Sequence, residues 1–134
     1  MLKRWRLPVA SRSLGILLLS GSHDRAHHAF LLAAGAAAIG REVLIFASND
    51  GCAALLADVA LLSGDPRDLQ ARAAGVAGIV ELREACVELG VRMMVCEAGL
   101  RIEGFADAEW LSGVRLAGIA SFLSDVGDGQ LLSL

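Results

Sequence analysis

The chain has no tyrosine, only two prolines, and few aromatic residues of any kind, which make up 4% of its 134 positions. So few rings leave little to stack on bases. The net charge of −3 also withholds the positive field that general binding to nucleic-acid phosphates requires. Three cysteines, odd in number and widely spaced, exclude a disulfide framework. The apolar tract Ala29 to Ile39 is too short, and too rich in Ala and Gly, to cross a bilayer. Basic residues do precede the apolar run Leu14 to Leu19. Pro8, Ser11, Arg12 and Ser13 intervene, however, and no small-residue cleavage site follows, so a secretory leader is not expected. The basic cluster Lys3, Arg4, Arg6 and Arg12 reads as a solvated, partly ordered tail over residues 1–12. A soluble, cytoplasmic protein with no membrane contact and no direct nucleic-acid binding is the expectation.

What the chain does contain is 55% hydrophobic residues, mostly Ala, Leu and Val, with a mean hydropathy of +0.58. Its length is that of one ordinary domain, 1–134, large enough for a core without staples. So apolar a balance suggests that part of the surface is covered by another subunit.

Leu14 to Ser20 is a continuous apolar run, as expected of a strand buried on both faces. Ser20-Gly21-Ser22-His23-Asp24 follows as a turn, with Ser22 or Asp24 able to cap a helix from about Arg25 to Ile39 that stops at Gly40. Gly35, in the alanine-rich middle, predicts a close approach to a neighbouring element. Glu42 to Ala47 is a second strand, and Ser48-Asn49-Asp50-Gly51 turns into a helical stretch from about Cys52 to Leu62. Ser63-Gly64-Asp65-Pro66 breaks it. Arg67 to Gly78 reads as irregular or weakly helical, a mobile cover over the site or a subunit contact.

Ile79 to Leu89 is an amphipathic helix with Ile79, Leu82, Cys86 and Leu89 on one stripe. Gly90 ends it, and Val91 to Val95 is a third strand. Glu97 to about Ile102 is a short helix or turn closed by Gly104, and Ala106 to Ser112 a further helical turn. Val114 to Ala117, Ile119 to Val126 and Gln130 to Leu134 complete the pattern as strand, helix and last strand. Strands alternating with helices predict an α/β fold: three α/β/α layers around a mostly parallel sheet of about five strands.

Ligands of open α/β sheets gather at the carboxyl ends of the strands. Cys96 stands at such an end, facing the amides of the next helix, which favour an anion and so a thiolate. Its neighbour Glu97 works against ionisation unless the carboxylate points away. Cys86 lies on an apolar stripe and reads as a small core hydrophobe. Cys52 opens a helical stretch beside Asp50; packing and a share in the chemistry both stay open for it. Were the first three strands ordered 2-1-3, Cys52 and Cys96 would stand roughly 9–10 Å apart, too far for a disulfide.

His23 and His27, four apart, share a helix face as metal ligands would, but no third ligand is spaced to join them. Cap and solvent-facing roles are the simpler reading of His23, His27 and His28, with His23 as a base for Cys96 the alternative. The turn after the first strand lacks both G-x-G-x-x-G and the phosphate-loop lysine, and no G-x-S-x-G elbow is present. No metal and no cofactor is called for.

Gly90-Val91-Arg92-Met93-Met94-Val95-Cys96-Glu97-Ala98 resembles the G-V-x-x-x-x-C-x-A strand of the DsrE/DsrF-like sulfur-relay family. The serine-rich turn Ser20 to Asp24, the alanine-rich helix ending at Gly40, the Asn49-Asp50-Gly51 loop and the closing Val114 to Leu134 pattern are similar too. Arg67 to Gly78 matches nothing in it. The resemblance implies an α/β/α fold that assembles into homo-oligomers. It also implies a cysteine, here Cys96, that carries sulfane sulfur as a persulfide between donor and acceptor proteins. A different class of function is a non-catalytic module that binds a small metabolite at the strand ends, lined by Ser22, Asn49 and Glu97, with Cys96 a wall residue. A peroxide-reducing thiol is a third, but the Pro and Thr spacing typical of that chemistry is missing around Cys96.

Overall fold

In the computed structural model, which describes residues 12–134, five strands form one parallel sheet. The strands are β1 Leu14–Leu18, β2 Val43–Ala47, β3 Arg92–Cys96, β4 Arg115–Ala117 and β5 Gln130–Ser133. Helices α1 His23–Ala38, α2 Ala60–Ser63, α3 Pro66–Ala73, α4 Ile79–Glu88, α5 Glu97–Ile102 and α6 Ile119–Val126 surround it. The basic residues Lys3, Arg4 and Arg6 lie outside the described residues; Arg12 donates to the Asp128 carbonyl at 3.0 Å.

Side chains alternate across the sheet, as the two-residue period of a strand demands. One set, Leu14, Ile16 and Leu18 with Val43, Ile45, Ala47, Met93 and Val95, packs with Ala26, Ala29, Phe30, Ile79 and Leu82 of α1 and α4. The other, Leu44, Phe46 and Met94, packs with Phe122 and Val126 of α6, where Phe46 stacks on Phe122 with ring centroids 4.7 Å apart. The three α/β/α layers expected from the sequence are present.

The strand order is β4-β3-β2-β1-β5. The supposed 2-1-3 order is therefore wrong: β2 and β3 are hydrogen-bonded neighbours, with Ala47 opposite Val95. Only the last strand crosses back, to pair with β1 on its other side.

Four local expectations also change. Cys52 to Leu62 is not one helix. A 3₁₀ turn spans Asn49–Leu55, started by Asn49 at φ 51°. The chain then leaves it because Ala57 N–H donates to Glu109 O and Leu56 pairs with Trp110. Ala106 to Ser112 holds no helical turn: after a tight turn at Ala106–Asp107, where Ala108 N–H donates to Phe105 O at 3.1 Å, those same bonds tie Glu109 and Trp110 to the 3₁₀ segment. Residues 66–73, expected to be irregular or weakly helical, form the regular helix α3. Pro66 occupies its first turn, where no N–H is needed, and the Asp65 carboxylate accepts from Arg67 N–H at 2.8 Å. Gly35 buys no close packing, since a Cβ built there meets nothing within 4 Å.

Candidate functional site

Cys96 is both the last residue of β3 and the N-cap of α5. Its side chain points to the α6 side of the sheet, beside Met94, Phe46 and Ala117, and is half-buried. The sulfur accepts a hydrogen bond from Gly99 N–H at 3.4 Å. A cap residue accepts from the free amides of its helix, and here sulfur takes the place usually filled by oxygen. Glu97 does not crowd it with free charge, because Arg101 one turn on holds the carboxylate at 2.9 Å.

Two close approaches fix this end of β3. A Cβ on Gly99 would lie 2.1 Å from Ser48 Oγ and 2.6 Å from Asn49 N, so α5 sits directly on the end of β2. A Cβ on Gly51 would lie 2.1 Å from the Leu18 carbonyl oxygen, which seats the 3₁₀ turn against β1. At the far end of that turn Arg83 of α4 reaches under the chain. It donates to the carbonyls of Ala54 at 3.1 Å, Leu56 at 2.5 Å and Ala57 at 3.3 Å. Burial pushes its pKa down. The guanidinium satisfies carbonyls left free at a helical terminus.

The other cysteines differ in kind. Cys52 is fully buried on the opposite face of the sheet, among the α1 and α4 residues, and its S–H donates to Ala47 O at 3.6 Å. Burial, reinforced by the nearby acids Glu103 and Asp50, pushes its pKa up to about 12. Cys86 is fully buried too, donates to Phe30 O at 3.3 Å, and is pushed by burial to about 12. Its role as core filler holds.

His28 faces solvent as expected, whereas His23 and His27 depart from the cap and solvent-facing roles. His28 is exposed, with Nδ1 3.0 Å from Asp24 O. His23 and His27 are buried and stacked, ring centroids 5.3 Å apart. Nε2 of His23 lies 2.7 Å from Oδ1 of Asp68, and that of His27 lies 2.8 Å from Ala77 O. His23 serves Asp68, with β2 standing between its strand and that of Cys96, so it is no base for that cysteine. Among the described residues no group of three His, Cys, Asp or Glu side chains is arranged to hold a metal ion.

Asp68 was invisible as a key residue in the sequence. It is fully buried, accepts from His23 and from Ile79 N–H at 2.8 Å, and lies 3.2 Å from Arg72 Nε. One carboxylate thus joins α3 to the starts of α1 and α4. The segment expected to be mobile is fastened down.

Ser22, Asn49 and Glu97 each make their own local contacts. Ser22 Oγ caps α1 by accepting from Arg25 N–H at 3.3 Å. Asn49 accepts from Ser48 Oγ at 3.1 Å and reaches Glu103 at 3.4 Å. Glu97 lines a cleft of about 430 Å³ with Val95, Leu100, Arg101, Trp110 and Leu116, which neither Ser22 nor Asn49 enters.

Comparison with known proteins fits this architecture. The chain is 29% identical, over a 152-residue alignment covering 90% of it and 96% of the relative, to the sulfur carrier protein DsrE2 of Allochromatium vinosum. It is 25% identical to the uncharacterized protein YrkE of Bacillus subtilis, over 87% of this chain and 92% of that one. Among solved structures, the ychN protein from E. coli superposes with a TM-score of 0.63 at 14% identity, and a protein of unknown function from Methanobacterium thermoautotrophicum with 0.67 at 13%. Each superposition covers 92% of this chain and all of the other, and shows the shared fold. The family model of the DsrE/DsrF-like family matches residues 12–130, nearly the whole chain. This chain belongs to the DsrE/DsrF-like family.

Proposed function

We propose that the chain is a cytoplasmic sulfur-relay protein in which Cys96 carries sulfane sulfur as a persulfide and passes it to a partner thiol. One observation carries the reading: of three cysteines, Cys96 alone is partly exposed, at a strand's carboxyl end with a helix amide on its sulfur. Family membership and the relative named a sulfur carrier support it.

In the first step the Cys96 thiolate attacks the outer sulfur of a donor persulfide, R–S–SH. The donor's S–S bond breaks, R–S⁻ leaves and Cys96–S–SH forms. In the second, an acceptor thiolate attacks that outer sulfur and Cys96 departs as thiolate. Both steps exchange one S–S bond for another and need no external oxidant. A sulfur that is ionised and reachable, with a surface for the partner, is all the protein supplies.

Intact-mass analysis after polysulfide loading tests this. A +32 Da adduct is expected on the wild type and on Cys52→Ser and Cys86→Ser, and is absent from Cys96→Ser. An adduct that persists on Cys96→Ser, or never forms on the wild type, ends the carrier reading.

The chain is also read as a homo-oligomer. Its support is the outer face of α6, where Ile119 and Leu123 are about half exposed, and Leu131 of β5, similarly exposed on the same side of the sheet. Light scattering is expected to return a multiple of the 14.0 kDa chain mass, and Leu123→Asp to return the monomer. A monomeric wild type contradicts it.

A further inference from the structure

We propose that Arg92 and Arg115 form a second site, at the amino end of β3 and β4, which binds a phosphate-like, multivalent oxyanion. The two arginines line one cleft of about 510 Å³, together with Met94, Ser112, Gly113 and Asp125. Pocket volumes in this range suit small ligands.

Strand register explains why they converge. Arg115 lies opposite Met94, and Arg92 precedes Met94 by two residues, so both side chains rise from the same face of the sheet. Their Cα atoms are then roughly 8 Å apart on the diagonal between neighbouring strands. Two long side chains with that spacing reach a single ligand from both sides.

Charge in the cleft is unbalanced. Its titratable groups are Arg92, Arg115 and Asp125. Asp125, from α6, stands 3.6 Å from Arg92 in an exposed, loosely made pair that an incoming anion can displace. Arg115 has no ion pair and no side-chain hydrogen bond among the described residues. One positive charge is left over. Planar guanidinium forks match the edges of tetrahedral oxyanions, and two of them offer more donors than one carboxylate accepts. The Ser112 hydroxyl adds a neutral donor at the rim.

This site is separate from Cys96, which stands at the other end of β3, roughly 13 Å along the strand. It does not depend on the sulfur-relay reading.

Calorimetric titration with inorganic phosphate at fixed ionic strength tests it, with acetate as the monovalent control. Wild type is expected to bind phosphate with a dissociation constant in the low millimolar range or tighter (about 4 kcal/mol or more of binding free energy). Arg115→Gln and Arg92→Gln each weaken it about tenfold or more, the loss of a charge-assisted contact. Both positions are exposed, so unchanged melting temperatures without phosphate establish that the variants fold. Arg101→Gln, whose partner is Glu97, leaves binding unaltered. No heat with wild type, acetate binding as tightly as phosphate, or undiminished binding in both variants overturns the assignment.

Discussion

Asp68→Ala is expected to lower the unfolding free energy by about 3–5 kcal/mol, the range for removing one partner of a buried charged pair. The carboxylate is fully buried, and its removal orphans two donors at once, the His23 ring and the Ile79 amide, while Arg72 loses one of its two carboxylate partners and keeps Glu81. Domains of this size have only about 5–15 kcal/mol in total, so the melting temperature falls by on the order of 10 °C or more. Urea unfolding followed by circular dichroism measures it. A loss below about 1 kcal/mol contradicts the idea that Asp68 fastens α3 to the two helices.

The same residue gives the stability a pH signature. Burial alone raises its pKa, but hydrogen bonds from His23 and the Ile79 amide, with the charges of His23 and Arg72, hold it below the usual carboxylate value. A depressed folded pKa means the unfolded state takes up the proton first. The stabilisation is therefore complete above the unfolded pKa of about 3.9 and fades as pH falls through the lower folded value. Wild type is expected to lose stability below about pH 4 more steeply than Asp68→Asn, which has no proton to gain there. Parallel acid profiles for the two contradict this.

Gly99→Ala is the second large effect, and it falls on the site. The added methyl would lie 2.6 Å from the Asn49 backbone nitrogen, so α5 must move away from β2. Overpacking of this kind costs about 1–3 kcal/mol. The displacement also carries off the Gly99 amide that the Cys96 sulfur accepts from. Sulfur loading and alkylation of Cys96 are expected to slow about tenfold, as suits the loss of roughly 1.4 kcal/mol at the reacting atom. Adding Ser48→Ala does not repair it, because the remaining clash is with backbone. Full rescue by Ser48→Ala places the constraint in the serine side chain, and unchanged loading in Gly99→Ala removes the amide from the account.

The sequence made the layers and Cys96 legible for one reason. Continuous apolar strands, a capped and glycine-stopped α1, and a cysteine at a strand end all leave local signals. What stayed hidden depends on contacts distant in the chain. Asp68 sits in a polar stretch and looks like any solvated acid until His23 and Ile79 come to meet it. Pro66 was read as a breaker although Asp65-Pro66 is also the pattern that begins a helix, and only the residues that follow decide between them. The strand order could not be read at all. Neither β2 nor β3 carries a mark saying which neighbour it takes, and the 2-1-3 order that separated Cys52 from Cys96 had no residue behind it. Cys52, in the turn that follows β2, and Cys96, at the end of β3, belong to adjacent strand ends after all, yet lie on opposite sides of the sheet.

The winding of the sheet has a kinetic consequence. From β1 to β4 each new strand joins the one before it, so those pairings close loops of moderate length. The exception is β5, which returns to lie against β1 and brings Gln130 to Leu14, from opposite ends of the described chain. Among the described residues that strand pairing closes the longest loop and gains the least from early local order, which makes it the late event in assembly. Until it forms, β1 presents an unpaired edge, and a nascent chain is most open to wrong partners along Leu14–Leu18.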